Sequence, residues 1–139
     1  MRKILFIGLV TLLLGSCSVE SDNINDGFYF EYVPIETVDM PAEFELGQSY
    51  EIEYTYYRPS TCHVFNDLYY VAELNQRTIA VINTVYPESS SPCEDLELEV
   101  ITRTFNFVVN NNSTYLFRFW QGTDSNDQDL YLEIEVPVN

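Results

Sequence analysis

The chain has 139 residues, one domain's worth, and 22 acidic side chains against 6 basic ones give it a net charge of −16. A body this acidic is repelled by phosphate backbones, whose binding proteins draw their affinity from lysine and arginine, so nucleic acid is excluded as a partner. The single histidine excludes a two-histidine metal pair, and neither a glycine-rich phosphate loop nor a nucleophile elbow occurs, so no cofactor or catalysis is expected.

Ile4 to Leu14 is an apolar run of 11 residues, short of the roughly 20 that span a bilayer. Arg2 and Lys3 precede it and the small residues Gly15 and Ser16 follow it, which is the pattern of a secretory signal. Leu14-Gly15-Ser16-Cys17 resembles the lipobox of bacterial lipoproteins. That resemblance implies removal of residues 1–16, diacylation of Cys17 through its sulfur, and acylation of the new amino terminus. Several acyl chains together anchor a protein firmly to a membrane. Ser18 stands where members retained at the inner membrane tend to carry aspartate, so a lipid anchor in the outer membrane is expected.

The mature chain would then hold 123 residues with four bases against 22 acids, a net charge of −18 and no lysine. An anionic lipid surface repels such a body, so the domain is expected to stand off the bilayer that anchors it. Residues 17–27 comprise the lipidated cysteine and "SVESDNINDG", a polar tether with three acids. It resembles the acidic signals that send some Gram-negative lipoproteins to the cell surface. The periplasmic face and the cell surface both stay open.

From residue 28 to residue 139 the hydrophobic period is two. Phe28 to Val38 is rich in aromatic and β-branched residues, and in "SYEIEYTYY" Tyr50, Ile52, Tyr54 and Tyr56 share one face. Leu68 to Leu74 and Thr78 to Tyr86 read as further strands. In "DLELEV" the apolar side chains are Leu96, Leu98 and Val100, yet by Phe105 they fall on odd numbers. A bulge or bend is therefore expected near residues 101–104, where a strand could cross between sheets. Tyr115 to Trp120 and "LYLEIEV", with Leu130, Leu132, Ile134 and Val136 together, complete the set. The turn signals "ELGQS", "RPS", "YPESSSP", "NNNS" and "GTDSND" separate these runs. The pattern predicts an all-β domain over 28–139, an antiparallel immunoglobulin-like β-sandwich of about seven strands, with a small barrel as the alternative.

Cys62 and Cys93 remain once Cys17 is assigned to lipid. They lie 31 residues apart beside proline-containing turn signals, in a compartment where disulfides persist. A bridge between them would act as an edge staple, worth roughly 3–4 kcal/mol on the chain-entropy model. The rival is a Cys62 thiolate activated by His63, but neighbours on an extended strand point to opposite faces. "DSNDQD", Asp124 to Asp129, offers several oxygens but lacks the glycine and distal glutamate of a calcium loop. It fits a polar hairpin loop, and calcium stays open. "NNNST", Asn110 to Thr114, marks a turn.

The last hairpin can be put in register by requiring both faces to agree. Phe119 then opposes Leu132, Phe117 opposes Ile134 and Tyr115 opposes Val136, all inward. Arg118 faces Glu133 and Trp120 faces Tyr131 on the outside, because a one-residue slip would bury Arg118, Glu133 and Glu135 at once. Trp120 and Tyr131, with Arg118 beside them, form a candidate platform for a sugar ring or a protein partner. The alternative is that another strand covers them.

Cys62 with Phe65 as C-x-x-F, and Tyr115 to Phe119 as Y-x-F-x-F, resemble the small immunoglobulin-like lipoproteins of Gram-negative envelopes. The resemblance implies the sandwich and brings no known activity. The leading expectation is a noncatalytic, lipid-anchored envelope protein that binds a protein or glycan partner or supports an envelope assembly. The alternatives are a surface glycan-binding module built on Trp120 and Tyr131, and a protease inhibitor that presents loops. Replacing Cys17 by serine is expected to abolish labelling with a palmitate analogue and to release the protein from membranes; a variant that still labels and pellets would overturn the lipobox assignment.

Overall fold

The structure is a computed structural model that describes residues 27–87 and 92–139. The expected signal peptide (residues 1–16), Cys17 and all of the expected tether but Gly27 lie outside these residues. The described chain is all-β: β1 (Tyr29–Val33), β2 (Ile35–Asp39), β3 (Ser49–Ser60), β4 (His63–Glu73), β5 (Gln76–Val85), β6 (Asp95–Val108), β7 (Tyr115–Thr123) and β8 (Asp129–Val136). One sheet holds β1, β4, β5, β7 and β8, and the other runs β2-β3-β6. The two sheets pack face to face as a β-sandwich, so the closed barrel is set aside.

Eight strands arise where about seven were expected because the Phe28 to Val38 run divides at Pro34. Proline has no amide hydrogen to continue a ladder, so the chain leaves one sheet after Val33 and enters the other at Ile35. All neighbours are antiparallel except β5 and β7, which run parallel from Gln76 opposite Leu116 to Ile79 opposite Phe119.

The period of two sorts the side chains as expected on β3, where Ile52, Tyr54 and Tyr56 are buried. From β7 they meet Tyr115, Phe117 and Phe119, each fully buried. Phe107 of β6 joins the layers, with its ring 5.0 Å from both Tyr115 and Phe117 in edge-to-face packing. Such pairs add about 0.5–1.5 kcal/mol each beyond the burial of their area. Arg77 is the one buried cation of this core. Its Nη1 donates to the carbonyls of Leu74 and Gln76, both at 2.8 Å, and its guanidinium lies 5.1 Å from the Tyr115 ring. The charge is therefore buried with partners, as its desolvation requires.

The bulge or bend expected near residues 101–104 does not occur there. Pairing with β3 is unbroken from Glu99 opposite Arg58 to Val108 opposite Ser49, which includes residues 101–104. The irregularity lies between Glu99 and Asp95, across from Pro59, which cannot donate to the ladder. β6 consequently stays in one sheet, and Val100 points outward, 53% exposed. The β7–β8 hairpin adopts the expected register, with Tyr115 opposite Val136, Phe117 opposite Ile134, Phe119 opposite Leu132, Arg118 opposite Glu133 and Trp120 opposite Tyr131. Leu130, grouped with the inner residues by parity, lies where the pairing shifts near the loop, and is exposed.

Cys62 and Cys93 are disulfide-bonded, with 5.4 Å between their Cα atoms. The bridge joins the turn between β3 and β4 to the start of β6, flanked by hydrogen bonds from Thr61 N to Glu94 O and from Glu94 N to the Thr61 hydroxyl. It is an edge staple, and Cys62 is no thiolate.

A second inward side chain of β5, after Arg77, breaks the apolar rule. Asn83 is fully buried between its cross-strand neighbours Glu31 and Phe65, and neither atom of its amide has a hydrogen-bond partner among the described residues. An unpaired buried amide costs about 1–3 kcal/mol. Asn83→Val is therefore expected to raise unfolding stability by about 1–2 kcal/mol in a denaturant titration; a lower midpoint would show that the amide is satisfied in solution.

Candidate functional site

The site lies on the outer face of the larger sheet, and its position follows from how β5 shares its edges. One edge pairs with β4 along its whole length. The other pairs with β7 through Gln76 to Ile79 and with β1 through Val81 to Val85, so Ala80 stands at the hand-over. Trp120, just past the paired part of β7, meets Tyr32 of β1 edge-on above this point, with ring centroids 6.0 Å apart at 60°. Tyr69, directly across from Ala80 on β4, closes the opposite side and stands 5.8 Å from Tyr32 at 86°. Tyr131 lies across from Trp120 on β8. The small side chains of Thr78 and Ala80 form the floor, which leaves a depression of ≈ 230 Å³ with four aromatic walls.

The walls are held by polar contacts. Trp120 Nε1 donates to Asp129 Oδ1 at 2.8 Å, which orients the indole. The Arg118 guanidinium lies 4.0 Å from the Tyr131 ring centre, while its Nε donates to Glu133 Oε1 at 2.9 Å. That ion pair is largely exposed and worth at most about 1 kcal/mol, so its effect is to position the arginine over the ring. Desolvation, and then the Asp129 carboxylate, push the Tyr131 phenol above its ordinary pKa against the opposing Arg118 charge. The phenol therefore stays protonated at neutral pH and can donate a hydrogen bond.

Trp120, Tyr131 and Arg118 thus share one face, as the register requires, and Trp120 and Tyr131 remain partly exposed, with no strand of the described residues laid over them. Tyr32 and Tyr69 are walls that the sequence reading missed. Each lies in a recognisable strand run, but no period tells which strands become neighbours. The Asp124 to Asp129 segment is a hairpin turn in which Asp124 Oδ1 accepts from the amides of Asn126 and Gln128 at 2.7 and 3.0 Å. Asp129 Oδ1 serves Trp120, so one oxygen each of Asp124 and Asp129 holds the turn and the indole.

His63 has a different role from the one considered beside Cys62. Its Nδ1 contacts Ser60 Oγ and its Nε2 contacts Glu31 Oε2, both at 2.7 Å. Serine, histidine and carboxylate in a row suggest a nucleophile, yet Ser60 is only 7% exposed and its Oγ already accepts from Cys62 N. The chain of contacts ties β1 to the stapled corner. Fold and site together define an all-β sandwich with an aromatic depression on one sheet face. Comparison with protein-family models, with curated proteins and with solved structures returned no match.

Trp120→Ala is expected to destabilise the fold by well under the roughly 3–5 kcal/mol of a core aromatic, whereas Phe117→Ala should cost that full amount. Equal losses in urea titrations of the two variants would make Trp120 a packing residue and remove the site.

Proposed function

We propose that this chain is a lipid-anchored, noncatalytic protein of the Gram-negative outer membrane that binds a macromolecular partner, and that the partner is a glycan. The immunoglobulin-like reading of the sandwich belongs to the same proposal, supported by the Cys62 and Phe65 pattern and the Tyr115 to Phe119 strand. The observation that carries the function is the ring of Tyr32, Tyr69, Trp120 and Tyr131 around the floor of Thr78 and Ala80. Flat aromatic faces match the apolar faces of pyranose rings, and the Asp129 carboxylate and the tyrosine hydroxyls can pair with sugar hydroxyls at the rim. Water already hydrates these aromatic faces poorly, so a sugar that covers them gains without stripping a charge of its solvent.

Trp120 is the only tryptophan of the chain, so its fluorescence reports this site alone. Titration of the mature protein against an array of neutral glycans is expected to shift that emission on binding. Trp120→Ala or Tyr32→Ala should weaken the same interaction by about tenfold or more. Binding that leaves the emission unchanged and survives both substitutions would overturn the assignment.

A further inference from the structure

A second depression of ≈ 290 Å³ adjoins the first on the same outer face. Phe30, Tyr32 and Ile82 line it, with Asn66 as the polar side chain on this face, while Glu31 between the two rings turns its carboxylate to His63 on the other side. Phe30 and Tyr32 are 60% and 50% exposed, and both point outward from β1 because they are two residues apart, roughly 6.6 Å along a strand. Tyr32 belongs to both depressions and stands edge-on to Tyr69 and Trp120, so it divides two hollows in line rather than closing one. From the geometry we infer that the two hollows are consecutive subsites of one groove, and that its occupant is a linear, neutral polysaccharide chain of several sugar units. This inference rests on the glycan reading above and deepens it.

Two features favour that occupant. The polar side chain of the second hollow is set up as an acceptor: Asn66 Nδ2 donates to the Thr84 hydroxyl at 3.1 Å, which leaves its Oδ1 for a ligand. Charge excludes an anionic chain, because Asp129 lines the groove, Arg118 is already paired with Glu133 and the chain carries a net charge of −16.

The test is the length dependence of binding. The mature protein is titrated by calorimetry and Trp120 fluorescence with cello-, manno- and malto-oligosaccharides of increasing length. Affinity should rise by about tenfold or more between the shortest bound member of a series and those long enough to fill both hollows, and then level off. Phe30→Ala should remove that rise and leave the short ligands unaffected, and Asn66→Ala should reduce it. Phe30 is exposed, so the variant keeps the fold, and an unchanged urea midpoint checks this. Affinity independent of length, or a Phe30→Ala loss equal for short and long ligands, would overturn the groove while the single depression stands. Binding of a proline-rich peptide in place of every oligosaccharide, or of no oligosaccharide at all, would overturn the glycan reading and the groove with it.

Discussion

A strand edge accepts one hydrogen-bonded neighbour at any point along its length, and on β5 that neighbour changes at Ala80. The change follows from Pro34, where the chain leaves β1 and crosses into the other sheet. β7 occupies the vacated edge, running parallel to β5, and its pairing with β5 ends at Phe119. Gly122 is where the two crossings meet. An added Cβ there would stand 3.5 Å from the Pro34 ring, and its φ of +99° is one that other residues rarely adopt. Pro34 and Gly122 thus let β1 and β7 share an edge, and the side chains at their two ends converge above a residue with almost no side chain of its own.

The same hand-over separates the aromatic residues into two populations. Those on the inner faces, Phe44, Tyr54, Phe107, Tyr115, Phe117 and Phe119, are buried in the core. Those on the outer face of the larger sheet contribute little to that core. Phe30, Tyr32 and Tyr69 remain 40–60% exposed. Exposure of several rings side by side is unfavourable in water unless something covers them, which is what supports the binding role proposed for this face.

Electrostatics narrows what that something can be. Each of the four arginines of the described residues has a partner: Arg58 contacts Glu99 and the carbonyls of Thr61 and His63, Arg77 the Leu74 and Gln76 carbonyls, Arg103 the Phe65 ring, and Arg118 both Glu133 and Tyr131. A domain that has committed its cations internally and carries a large excess of carboxylates offers acceptors and ring faces to a ligand, which is the chemistry of polyhydroxylated neutral molecules.

What the sequence by itself determined are the features that depend on neighbours along the chain or on charge alone. The all-β class, the inward faces of β3 and β7, and the β7–β8 register were legible because side-chain direction alternates strictly and a slip would bury Arg118, Glu133 and Glu135 together. The outward pairing of Trp120 with Tyr131 follows from the same register, and the staple from two cysteines left over beside turns. The tertiary structure decided what depends on strands far apart in the sequence. Pro34 could be read as a break but not as a change of sheet, and the β6 irregularity settled opposite Pro59 because the ladder on β3 lacks a donor there. Tyr32 and Tyr69 became walls of the site only because β1 and β4 flank the same residue of β5. No local period encodes which strand lies beside which, since that choice is made by the packing of whole sheets.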